Sequence, residues 1–146
     1  VEHLRAAGIP VQVVNGITAG LAGMTLLGAP LTHRQHAHGV VFITGHPQPG
    51  RQPTDWRQLA ATARDMRLTL VIYMGVKNCV HIQAGLLTAL PAQTPAAVIQ
   101  NASLPQQRHA VTTLGRLQQT IEHEGLDSPS VIVVGDVVRG IRAAAQ

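Results

Sequence analysis

Four short runs of β-branched and aliphatic residues constrain this chain most: VVFITG (Val40 to Gly45), LTLVIYMG (Leu68 to Gly75), AAVIQNAS (Ala96 to Ser103) and SVIVVG (Ser130 to Gly135). Runs of this length read as strands, and apolar side chains on both faces ask for cover above and below. Between them lie stretches rich in Ala, Leu and Gln that read as helices. Thr54 is placed to cap one over Asp55 to Arg64, with Asp55 favourable in the first turn. A second covers Val76 to Leu90, with Val80, Ala84, Leu87 and Leu90 inward, and a third Leu114 to Glu124, stopped by Gly125. Arg108 to Thr113 alternates like a strand and follows Ala96 to Ser103 with no helix between, so part of the sheet is antiparallel. The expected fold is α/β, a mixed parallel and antiparallel sheet with helices on its faces.

The remaining segments are shorter. Glu2 to Ala7 read as the last turns of a helix, stopped by Gly8 with Pro10 beyond, and Val11 to Val14 as a short buried strand. Asn15-Gly16 supplies a turn into a helix from Ile17 to Leu27, which Pro30 ends. Gln35 to Gly39 read as a linker and Val137 to Ala145 as a tail. A chain of 146 residues buries roughly two-thirds of its unfolded surface. Its core must be aliphatic, because Phe42, Trp56 and Tyr73 are the whole aromatic complement.

Charge narrows the partners. A net charge of +4 points to anions, but the basic residues are scattered and aromatics for base stacking are scarce. A small anionic molecule fits better than nucleic acid. Cys79 is the single cysteine, so no internal disulfide forms and a reducing, cytoplasmic setting is expected. The longest apolar stretch, Ile17 to Leu31, is broken by three glycines and a proline and is too short to span a bilayer.

Several motifs carry chemistry. In VVNGITAG a glycine follows a strand and a helix start follows the glycine, an arrangement that offers free N–H groups to a ligand but also occurs at ordinary α/β junctions. It has no GxGxxG fingerprint, which counts against a nicotinamide enzyme. In GAPLTHR (Gly28 to Arg34) a proline, a hydroxyl, an imidazole and a guanidinium stand together, either as a polar linker or as a binding element. Met74 ends a strand, where ligands of open α/β sheets sit, although a methionine there is more often core. His33, His36, His38 and His46 have metal-ligand chemistry, but their irregular spacing and the lack of a nearby cysteine favour a histidine-rich linker, and no metal is expected.

GIT, PLTHR, YMG and the Asp55-Trp56 pair together resemble the C-terminal half of uroporphyrinogen-III C-methyltransferases, within the tetrapyrrole methylase family. The resemblance implies S-adenosylmethionine as cofactor, a tetrapyrrole as substrate and a homodimer. It places Thr18, Ala19, Met74 and Ala102 at the cofactor and Thr32, His33 and Arg34 at the substrate. Asn15 stands where the family has proline, and Ala102 where it has a glycine. Arg34, Arg51, Lys77 and Arg108 supply a dispersed positive field for a polycarboxylate. The chain opens at Val1-Glu2-His3-Leu4 inside a helical pattern, so it is expected to be a fragment, with residues 1–36 ending an N-terminal domain and 37–146 forming the C-terminal one. The family's GGDP loop and its acid-base residues belong to the other half, which leaves the catalytic residues unknown. Two alternatives stay open: another tetrapyrrole or corrin-precursor methylase of this fold, or a non-catalytic anion- or metal-binding α/β module.

Overall fold

The computed structural model describes residues 1–46, 50 and 52–141. Five strands form one mixed sheet in the order β1-β2-β5-β3-β4: β1 Gly39–Thr44, β2 Leu68–Tyr73, β3 Pro95–Gln100, β4 Arg108–Thr113 and β5 Ser130–Val134. Only β1 and β2 run parallel. β5 inserts between β2 and β3 and is antiparallel to both, and β3 pairs antiparallel with β4. The carboxyl ends of β2 and β3 therefore share one end of the sheet with the start of β5. The starts of β2 and β3 share the other end with its finish.

Both faces are covered. On one, Leu70, Ile72, Ala96, Val98 and Ile132 pack beneath α3 (Trp56–Asp65), α4 (Cys79–Leu86) and α5 (Leu117–His123). On the other, Val71, Ala97, Ile99 and Val133 meet Met24 of α2 (Ala19–Leu26), together with Val137 and Val138 of a 3-10 turn over Asp136–Gly140. The Val137 region is therefore packed, not a loose tail, while residues 142–146 lie outside the described residues. α1 (Glu2–Ala6) ends before Gly8, whose φ of +71° only a glycine adopts readily, but it buries no residue.

Four local expectations need correction. Val11 to Val14 form no strand: Val13 is 68% and Val14 77% exposed, and no strand pairs with them. An apolar, β-branched run becomes a strand only where a neighbour takes up its backbone hydrogen bonds. α2 is ended by Gly28, not Pro30: with φ at +69° the Gly28 and Ala29 amides turn back to the carbonyls of Thr25 and Met24. The cap of α3 is Asp55, not Thr54, its Oδ1 accepting from the Arg57 and Gln58 amides at 3.0 Å each. The inner face of α4 is Cys79, Ile82 and Leu86, whereas Val80 is 60% exposed. A 3-10 turn over Val76–Asn78 precedes this helix, and apolar residues on both its sides left periodicity without a vote.

Candidate functional site

The end of the sheet where β2 and β3 finish holds a cavity of about 320 Å³. Three separated segments supply its walls: Ala19 at the start of α2, Tyr73 and Met74 at the end of β2, and Ile99, Asn101 and Ala102 at the end of β3 and just beyond it. Pro129 and Val131 at the start of β5 close it from beneath. The lining is chiefly apolar, with Asn101, Ser128 and Ser130 as polar exceptions, the composition expected of a small-molecule site. It holds no carboxylate, imidazole or amine.

Local backbone chemistry explains how these residues are presented. Met74 has φ of +53°, in the left-handed region that costs a side-chain-bearing residue of order 1–3 kcal/mol. That kink ends β2 and leaves the Met74 side chain 60% exposed at the rim. In the β3–β4 loop the left-handed positions are Asn101 (φ 52°) and Ser103 (φ 70°), not Ala102. Alanine is thus accommodated at 102 without the strain a positive φ imposes. Ser103 N–H is held by Gln107 Oε1 at 2.8 Å, which closes this loop.

Thr18 joins the site through Tyr73. Its Oγ1 and the Tyr73 hydroxyl are 2.5 Å apart, and the Gly20 amide donates to the same phenol oxygen at 3.2 Å. The first turn of α2 is pinned to the end of β2 by one oxygen atom. Close approach is possible because residue 20 is glycine: a Cβ there would lie 2.5 Å from Val71 Cγ1 and 2.7 Å from the Tyr73 hydroxyl. On the other side of β2, Asn78 Nδ2 donates to the Gly45 carbonyl at 2.9 Å, and Gly45 N–H to the Tyr73 carbonyl at 2.6 Å.

Thr18, Ala19, Met74 and Ala102 are thus brought together. Thr32, His33 and Arg34 are not. All three are exposed and lie at the opposite end of the sheet, where His38 N–H donates to the Arg67 carbonyl ahead of β2. His33 builds a tight turn there. It exchanges backbone bonds of 2.9 Å with Ala37, accepts the Gln35 amide at Nδ1 (3.2 Å) and stacks on His36 with ring centroids 4.6 Å apart. Of the positive field, Arg108 is engaged at the Glu124 carbonyl (2.6 Å), Lys77 is exposed, and Arg51 lies outside the described residues. No group of three or more His, Cys, Asp or Glu able to hold a metal occurs among the described residues. Tyr73, Asn101 and the Ser128 to Val131 wall were missed by sequence reasoning. Tyr73 carried a signal as the first residue of YMG and Asn101 as the neighbour of Ala102 in QNAS, whereas the β5 wall depends on a strand insertion that no local pattern encodes.

The tetrapyrrole (corrin/porphyrin) methylase family profile matches residues 1–118. A uroporphyrinogen-III C-methyltransferase of Pseudomonas aeruginosa is 45% identical over 141 residues, covering 96% of this chain and 56% of the relative. A siroheme synthase of Azotobacter vinelandii is 44% identical over 140 residues, covering 95% of this chain and 29% of the relative. Among solved structures, the uroporphyrin-III C-methyltransferase of Thermus thermophilus complexed with S-adenosylhomocysteine superposes with a TM-score of 0.73 at 34% identity, over 94% of this chain and 57% of that one. A cobalt precorrin-4 methyltransferase reaches a TM-score of 0.79 at 19% identity, a likeness of fold. The chain belongs to the tetrapyrrole methylase family. It spans little more than half the length of its C-methyltransferase relatives.

Proposed function

We propose that this chain is part of an S-adenosylmethionine-dependent C-methyltransferase that methylates two pyrrole carbons of uroporphyrinogen III, giving precorrin-2. The observation that carries the reading is the convergence of Ala19, Met74 and Ala102, from three separated segments, on one apolar cavity at the carboxyl ends of β2 and β3. The relatives named for this reaction, and the neighbour solved with the demethylated cofactor, support it.

The residues present fit such a cofactor. Ala19 and Ala102 leave flat apolar walls for a purine ring, and Asn101, Ser128 and Ser130 offer a few polar contacts to a sugar or amino acid group. Met74 adds an adaptable, polarizable rim. The bound cofactor supplies a methyl already activated on a sulfonium. What this chain contributes is alignment: Tyr73 and Thr18 set the α2 wall, and the left-handed turn at Met74 sets the rim. Holding two reactants in register lowers a barrier by several kcal/mol. The lining has no carboxylate, imidazole or amine, so the proton steps are assigned to residues outside this cavity.

Thr32, His33 and Arg34 are retained as contacts to the tetrapyrrole only if that substrate reaches across the molecule, a span beyond the cofactor cavity. Residues 1–36 read as the end of an N-terminal domain and 37–146 as the C-terminal domain. The uncovered Val13, Val14 and Ile17 support a covering partner for the first segment. A cytoplasmic homodimer completes the proposal.

Calorimetric titration with S-adenosylhomocysteine tests the cavity. Saturable binding weakened about tenfold (about 1.4 kcal/mol) in Ala102→Phe is expected. Equal binding by that variant would remove the cavity from the account.

A further inference from the structure

We propose a second ligand site at the far end of the sheet, a cavity of about 530 Å³ that binds a small organic oxyanion, carboxylate or phosphate, through Arg64, Arg67 and Arg139. It shares no lining residue with the Ala19–Met74–Ala102 cavity and lies at the opposite strand ends. The topology creates it. β2 and β5 are antiparallel neighbours, with Leu70 opposite Val134, so the residues leading into β2 and those leaving β5 meet at one end. Arg64 and Arg67 arrive there from the end of α3, and Arg139 from the turn after β5.

Three guanidinium groups face this cavity against a single lining carboxylate, Asp136. Asp136 reaches Arg139 only at 3.4 Å, and Arg64 is held from outside the lining by Asp65 at 2.8 Å. Arg67 engages no carboxylate among the described residues. The dipole at the end of α3 favours cations in its last turn, which accounts for Arg64 but not for Arg67, past the cap, or for Arg139, delivered by a different element.

Arg67 is the more telling residue. It occupies the position just past the α3 cap, with φ of +51°, where helices ordinarily place glycine. Packing gives no reason for a long side chain there, since Arg67 is exposed. Its backbone conformation is unfavourable for any residue with a Cβ. A forked donor set lining the same cavity as Arg139 gives that side chain a use, because guanidinium groups hold a carboxylate or phosphate by parallel hydrogen bonds. Leu68, Leu90 and Val134 form an apolar floor, which suits an anion with a hydrocarbon body better than a bare inorganic ion.

The test is titration of the whole chain, by calorimetry at low salt, with glutarate, phenyl phosphate and inorganic phosphate as separate probes. Saturable binding of glutarate or phenyl phosphate with Kd below about 1 mM is expected, and the stronger of the two identifies the anionic group. Inorganic phosphate should bind more weakly than phenyl phosphate. Arg67→Gly should weaken binding at least about tenfold while raising the melting temperature, since glycine relieves the left-handed backbone. That variant cannot be dismissed as misfolded. Arg139→Ala should weaken binding similarly, and Arg57→Ala, outside the cavity, should leave it unchanged. No saturable binding by either organic probe, or binding indifferent to Arg67→Gly and Arg139→Ala, overturns the proposal.

Discussion

The phenol oxygen of Tyr73 accepts the Gly20 amide and is hydrogen-bonded to Thr18 Oγ1, so a single oxygen sets the distance between α2 and β2. Tyr73→Phe keeps the ring and its stacking on Phe42, with centroids 6.2 Å apart, and removes only that oxygen. The expected outcome is a stability loss of about 1 kcal/mol in chemical denaturation, with faster hydrogen exchange at Gly20. Cofactor affinity should fall with it, while Thr18→Val adds little in the double variant because both changes break the same bond. Full additivity would show that the pair is not coupled. Cys79 gives a second residue-level check. Burial, with a smaller contribution from the Glu122 charge, pushes its thiol up to about 11 from an ordinary 9.0. The folded state thus holds its proton where the unfolded chain has lost it. Stability from this group is complete below pH 9 and declines as pH rises from 9 toward 11. Cys79→Ala should flatten that decline in melts recorded between pH 8 and 11, and the native thiol should resist labelling reagents at neutral pH.

Elements were legible to different degrees, and the reason is physical. β2, β3 and β5 announced themselves because a strand buried on both faces must be continuously apolar, and β1, a half-buried edge strand, shares their β-branched composition. The same apolar, β-branched signal at Val11 to Val14 misled, because strand formation needs a partner as well as a composition. α4 was legible as a helix but not in its orientation, since both its candidate stripes are apolar. The order of the sheet was beyond reach: nothing local says that the last strand inserts between β2 and β3, and that insertion supplies the Ser130 and Val131 wall of the cavity. At this scale Gly20→Ala is the sharp test. Helix propensity gains up to about 1 kcal/mol from the exchange, but the new methyl group meets Val71 and Tyr73, and overpacking costs about 1–3 kcal/mol. Net destabilisation in thermal melts, with weaker cofactor binding, is expected. Asp55→Ala, which deletes the α3 cap, should cost about 1 kcal/mol and leave binding unaltered.

For the whole molecule, the two ends of the sheet have different characters: an apolar, weakly polar cavity where β2 and β3 finish, and an arginine-lined one where they begin. Of the positions read from sequence as cofactor contacts, Ala19, Met74 and Ala102 line the first cavity and Thr18 is tied to it through Tyr73, whereas Thr32, His33 and Arg34 fall at the second end. Motif chemistry picks out candidate residue types, but only topology decides which of them can touch one ligand. Val13, Val14, Ile17 and Leu21, between 45% and 80% exposed, leave apolar surface open on the α2 side. Such surface is expected to drive self-association through residues 9–31. Light scattering across a concentration series should show it, and Ile17→Glu should reduce it. The most direct test of the central claim is a titration of methyl-labelled protein with S-adenosylhomocysteine, following the Ala19, Met74 and Ala102 methyl resonances. The account predicts that all three shift together along one saturable isotherm, while the Ala63 methyl, at the arginine-lined end, stays still. Saturable binding that leaves those three unmoved, or no binding at ligand concentrations up to about 1 mM, would contradict it.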